Sequence, residues 1–219
     1  MNYIDSAKKM LVILGCLITL NGEAQEQQTT NERKLTAKIG VKGGLNFTNL
    51  YVENVKDENM KLGGNIGLFA KIPLAKGVSL QPELLYSMKG SQLNYNNVFG
   101  SGKYRFNLDY VEIPLLAVIN VATNFNIQLG GYAAFLASVK VKDVDQNGNI
   151  RGVTEFNKND FQTFDYGLVG GFGFDVGSVT LGARYSYGLK EVGKNGTLSG
   201  NITQNSKNSA FSLFLGIGL

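Results

Sequence analysis

The chain reads as an all-β protein, an eight-stranded antiparallel up-and-down barrel that crosses a membrane. Three observations predict this. Apolar and polar residues alternate with a period of two over segments of about ten residues or more, longer than soluble strands and long enough for a tilted strand to span a bilayer. The connections alternate between tight turns and long polar loops, an asymmetry typical of transmembrane barrels. Among 219 residues glycine numbers 28 and proline 3, which favours long strands around a narrow interior over helices.

The alternation is clearest in FDYGLVGGFGFDVGSVTLGARYSYGL, residues 164–189. Phe164, Tyr166, Leu168, Gly170, Phe172, Phe174 and Val176 form one set, with Asp165, Gly167, Val169, Gly171, Gly173 and Asp175 between them. After a Gly177-Ser178 turn, Val179, Leu181, Ala183, Tyr185, Tyr187 and Leu189 continue the first set, and Arg184, Ser186 and Lys190 belong to the second. Successive strand side chains point to opposite faces, so this is a hairpin with one greasy and one polar side. Phe164, Tyr166, Tyr185 and Tyr187 gather at its open end, and Tyr86 joins them from an earlier strand, as an interfacial aromatic belt requires. The greasy side therefore faces lipid.

The other strands follow in order. The first runs from about Leu35 to Thr48, with Ile39, Val41, Leu45 and Phe47 out and Lys42 in; a polar loop, 49–61, follows. The second puts Ile66, Leu68, Ala70 and Ile72 out and Lys71 in, and Ala75-Lys76-Gly77 turns it into the third. There Val78, Leu80, Leu84, Tyr86 and Met88 face out, Gln81, Glu83 and Lys89 in, and Pro82 is expected at a bulge or an unpaired position. A loop over 90–103 leads to the fourth strand, with Val111, Ile113, Leu115, Ala117 and Ile119 out and Tyr110, Glu112 and Leu116 in. After a short turn at 120–124, the fifth has Phe125, Ile127, Leu129, Ala133 and Phe135 out and Gln128 and Tyr132 in. Loops are expected over 139–161 and 191–208, and the last strand shows Phe211, Leu213, Leu215, Ile217 and Leu219 on one face. All the long connections then fall at one end. A soluble lipocalin-like barrel also alternates, with the greasy face inside. The strand lengths, the belt and the segregated loops favour the membrane.

Three segments are expected: a secretory signal peptide over 1–24, a disordered lead-in over 25–34, and the barrel domain over 35–219. Lys8-Lys9 precede an apolar run, Met10 to Leu20, and Gly22-Glu23-Ala24 forms a small-x-small cleavage site before Gln25. Cys16, the single cysteine, sits inside the apolar run with Leu17-Ile18 after it, so a lipidation site is the weaker reading. The net charge is +4 with no basic run, and the aromatics sit at strand positions, so no nucleic-acid partner is expected.

The motifs KIGVKGGLNFTNL (38–50), QPELLYSMKG (81–90), YVEIPLLAVI (110–119) and LGARYSYGL (181–189) resemble the PorT-like outer-membrane β-barrel proteins of Bacteroidota. The resemblance spans the mature chain and implies an eight-stranded barrel in the cell outer membrane with both termini in the periplasm. Its best-known namesake works in protein secretion. This chain ends in Leu219 where many such barrels end in an aromatic residue.

Glu83, Glu112, Arg184, Lys71, Gln81, Gln128 and Tyr132 are the candidate interior residues, with Lys42 and Asp165 as neighbours. Eight strands enclose a bore that side chains can fill, and buried charges there must pair. A structural polar network is therefore expected ahead of acid–base chemistry. Histidine is absent, which removes any His-based triad. Asp143 to Asn149 resembles the start of a calcium loop, but Arg151 stands at its ninth position and Thr154 at its twelfth. A hairpin tip with Asn147-Gly148 as its turn fits better. No cofactor, metal or catalytic residue is expected. The expected partners are outer-membrane lipid and a protein or small ligand at the external loops, where Tyr95, Phe99, Tyr104, Phe156 and Phe161 are candidate contacts. A structural, assembly or secretion-associated role in the envelope is the alternative.

Overall fold

The computed structural model describes residues 36–51, 60–97, 100–145, 150–155, 161–193 and 206–219. The leader and lead-in expected over 1–34 lie outside them. The strands are β1 (Lys38–Tyr51), β2 (Lys61–Ala75), β3 (Val78–Asn97), β4 (Gly100–Asn120), β5 (Phe125–Asp145), β6 (Ile150–Glu155), β7 (Phe164–Val176), β8 (Val179–Glu191) and β9 (Lys207–Gly218). Eight of them close a ring, β1-β2-β3-β4-β5-β7-β8-β9 and back to β1, with every pairing antiparallel. β6 stands outside the ring and pairs with the end of β5. Closure removes the sheet edges, which allows the backbone to cross a layer without water.

The short connections 76–77, 121–124 and 177–178 share one end. Gly77 and Gly177 hold φ of 82° and 62° there, a region that suits glycine in two-residue turns. The carboxyl end closes onto the same rim, where Gly218 N donates to Ser178 O and Leu219 N to Ile39 O, both at 2.7 Å. Pro82 pairs with Leu115 of β4 but interrupts the ladder to β2, which steps from Phe69↔Glu83 to Ile72↔Leu80. The unpaired position expected for a residue without an N–H is therefore present.

Two expected loops are largely strand. β3 and β4 stay paired from Gly90↔Asn107 to Asn97↔Gly100, across the segment 90–103. Asn, Gly and Ser obscure any hydrophobic alternation there, but a ladder held by backbone hydrogen bonds does not require one. Across 139–161, β5 continues to Asp145 and β6 folds back on it from Lys140↔Glu155 to Val144↔Ile150. These are the arms of the hairpin expected around Asn147-Gly148, and the tip itself lies outside the described residues. As a result β3, β4 and β5 are 20, 21 and 21 residues long. β1, β2, β7, β8 and β9 have only 12 to 15. One side of the barrel is thus drawn out into a tall wall at the end of the long connections.

The period-two reading sorts the faces. Leu68, Leu129, Leu168 and Phe172 are each about half exposed on the outside, whereas Tyr110, Leu116 and Val118 are fully buried within. Phe161, a candidate external contact, is instead 6% exposed and packs with Leu108, Tyr110 and Val192 at the base of the wall. A large apolar ring there is better covered than left in water. The side chains of Tyr95, Phe99, Tyr104 and Phe156 lie outside the described residues.

Candidate functional site

The lumen is organised around Glu83, whose inward position follows from the alternation of β3. Arg184 of β8 grips it with both ends of its guanidinium: Nη1 donates to Oε2 and Nη2 to Oε1, each at 2.8 Å. Lys42 of β1 donates to Oε2 at 3.0 Å and Gln81 to Oε1 at 2.6 Å. Two cations thus share one buried carboxylate. The surplus charge rests on the ring of Phe214, 4.0 Å from Lys42 Nζ and 4.5 Å from the Arg184 guanidinium carbon. Gly171 faces Arg184 in register, and a Cβ there would lie 2.7 Å from Arg184 Cγ. Glycine leaves the room that the long side chain takes up.

From Arg184 the network runs towards the rim of short turns. Arg184 Nε donates to Gln128 Oε1 at 2.6 Å, Gln128 Nε2 to Asn126 Oδ1 at 2.7 Å, and Asn126 Nδ2 to Asp175 Oδ2 at 3.0 Å. Asp175 also accepts from Thr180 at 2.6 Å and pairs with Lys71 at 3.2 Å. Lys71 therefore joins the Glu83 network through Asp175.

Glu112 does not meet Arg184 and Glu83 directly. It pairs with Lys89 at 2.7 Å in a second group nearer the tall wall. Lys89 Nζ lies 4.3 Å from the Tyr132 ring centre. Tyr132 donates its hydroxyl to Asp165 at 3.1 Å, and Asn208 donates to Asp165 at 2.9 Å and to the Tyr110 hydroxyl at 3.2 Å. A cavity of ≈ 30 Å³, lined by Lys42, Lys89, Glu112 and Arg184 among others, separates the two groups, and another of ≈ 10 Å³ lies beyond Phe214. These hold one or two waters each at most. The sequence reading placed Asn126 inward but passed over Phe69, Phe214 and Asn208, which also fill the bore. Phe69 and Phe214 lie in the inward sets of their strands, whereas Asn208 fell in an expected loop that the structure shows as the start of β9.

On the outer surface, Tyr86, Val111, Phe135 and Phe164 form one register row across β3, β4, β5 and β7. The Phe135 and Phe164 ring centres are 5.2 Å apart, and those of Phe164 and Tyr166 6.0 Å. Tyr185 lies opposite Phe211, with Phe47 next to it across β9 and β1. Tyr187, one step further along β8 on the same face, is half-buried opposite Leu168.

Among solved structures, the chain is similar to Neisserial surface protein A, with a TM-score of 0.51 and 14% identity over 83% of this chain and 98% of that one. It is also similar to Ail, the attachment invasion locus protein of Yersinia pestis, at TM-score 0.46 and 10% identity over 84% and 99%. OprG of Pseudomonas aeruginosa gives a TM-score of 0.41 and 11% identity over 84% and 96%. No curated protein sequence matches. The model of the outer membrane protein beta-barrel domain matches residues 24–192. The chain therefore belongs to the outer-membrane β-barrel domain family, and its place is the outer membrane.

Proposed function

We propose that this barrel is a non-enzymatic surface-binding component of the outer membrane, of the PorT-like type, whose tall wall is the recognition element. One observation carries the reading: the strands that outgrow the ring, β3 to β6, adjoin one another and rise at the end of the long connections. Strand residues beyond the thickness of a bilayer add nothing to membrane anchoring, whereas rigid walls hold recognition surfaces well. The lumen supports the non-enzymatic side, because its charged groups are engaged with one another and histidine is absent. Residues 1–24 serve as the secretory leader in this reading, with the mature chain starting at Gln25.

The test is to shorten the β3–β4 and β5–β6 hairpins down to the height of the ring. Assembly is followed by the heat-dependent gel shift of a folded barrel, and envelope proteins or ligands retained by intact and shortened forms are compared. Loss of retention with normal assembly supports recognition. If retention survives and is lost only on changing the turns at 75–77 or 120–124, the periplasmic assembly role takes its place.

A further inference from the structure

The outward face of the wall carries a cationic pair at a defined height. Arg105 of β4 and Lys142 of β5 are direct cross-strand partners. Both belong to the outward set, since Arg105 follows Val111, Asp109 and Asn107 in steps of two and Val111 lies in the aromatic row. Like charges placed directly opposite one another repel. Among the described side chains no carboxylate pairs with either residue. Asp109, the acidic group further down this face, is hydrogen-bonded to the Tyr86 hydroxyl. Arg105 Nε donates to Gln92 Oε1 at 3.1 Å, which sets the plane of the guanidinium. Two outward cations that no described carboxylate neutralises call for an acceptor rich in oxygen and negative charge.

The height narrows the ligand. The apolar outward run of β5 ends near Phe135 in the aromatic row, and from there to Lys142 the strand climbs roughly 15 Å at ~3.3 Å per residue and about 45° of tilt. That is above the acyl chains and level with a large headgroup. We propose that Arg105 and Lys142 bind a phosphate group carried on the saccharide headgroup of an outer-leaflet lipid. The site lies on the wall assigned above to recognition but rests only on the outer-membrane location, so it stands or falls separately from any protein partner.

The folded barrel in detergent is titrated with phosphorylated lipopolysaccharide, with its dephosphorylated form and with inorganic phosphate. Wild type is compared with R105Q/K142Q, and with K190Q, which removes a lysine lying 5.5 Å over Phe164. At about 1 kcal/mol per basic side chain facing anionic lipid, R105Q/K142Q should weaken binding of the phosphorylated lipid roughly thirtyfold. K190Q should weaken it by no more than about fivefold, and the dephosphorylated lipid should bind no better to wild type than to R105Q/K142Q. The gel shift confirms folding of every variant. Equal affinity of wild type and R105Q/K142Q for the phosphorylated lipid overturns the site. Inorganic phosphate binding as tightly as the lipid overturns the lipid as its source.

Discussion

Replacing Arg184 by Ala tests whether the lumen is held together by its buried charges. The substitution removes two charge-assisted hydrogen bonds to Glu83 at 2.8 Å and one to Gln128 at 2.6 Å, from side chains 6% and 0% exposed in the ion pair. Breaking a buried pair by deleting one partner costs about 3–5 kcal/mol, because the other charge stays desolvated. Lys42 remains on Glu83 at 3.0 Å, so the carboxylate keeps a counter-charge and the lower end of that range applies. The unpaired Gln128 oxygen adds to the loss. A destabilisation of about 3 kcal/mol follows, or roughly a hundredfold in the folded-to-unfolded ratio. The chain has no tryptophan, so urea unfolding in lipid vesicles is best read from the gel shift. Glu83→Gln should be costly by itself, and the double variant should cost clearly less than the sum of the two. A loss below about 1 kcal/mol, as for an exposed pair, or strict additivity would refute the reasoning.

Three further outcomes are expected. Gly171→Ala should destabilise by about 1–3 kcal/mol, because the added Cβ would run into the Ala183 carbonyl oxygen as well as lie 2.7 Å from Arg184 Cγ, and most of that loss should persist in the Arg184→Ala background, by the same unfolding assay. Leu129→Arg, midway along the outward run of β5, should cost about 2–4 kcal/mol in vesicles, as an arginine in hydrocarbon does; an unchanged unfolding midpoint would argue that this face meets water. In planar bilayers the protein should show no large steady conductance, because the cavities between the described charged groups of the lumen measure only ≈ 30 and ≈ 10 Å³. A stable open channel would mean that the Glu83 network moves aside.

Much of the architecture is a local property of the chain. Side-chain alternation has a period of two whatever the tertiary context, so Leu129, Leu168 and Phe172 could be assigned to the outside and Glu83, Gln128 and Arg184 to the inside from residue order alone. Turn chemistry is equally local: Gly77 and Gly177 mark tight hairpins because their backbones adopt positive φ cheaply. Given strands, turns and lipid-length segments, an eight-stranded barrel follows.

Who meets whom across the lumen is not local. Glu83 and Arg184 are 101 positions apart, and their meeting depends on ring closure and on the stagger of the strands, which only the assembled barrel sets. The same stagger carries Glu112 away from Arg184 to Lys89 and links Lys71 to the network by way of Asp175. The tall wall was hidden for another reason. Asn, Gly and Ser crowd the segment 90–103, so the hydrophobic alternation that marks a strand is missing there while the backbone ladder continues. Sequence thus determined the barrel, because lipid and a packed interior impose opposite chemistry on alternate residues. Tertiary structure decided the pairings inside it and the height of its wall, because those rest on register and backbone hydrogen bonds, which leave no pattern in the side chains.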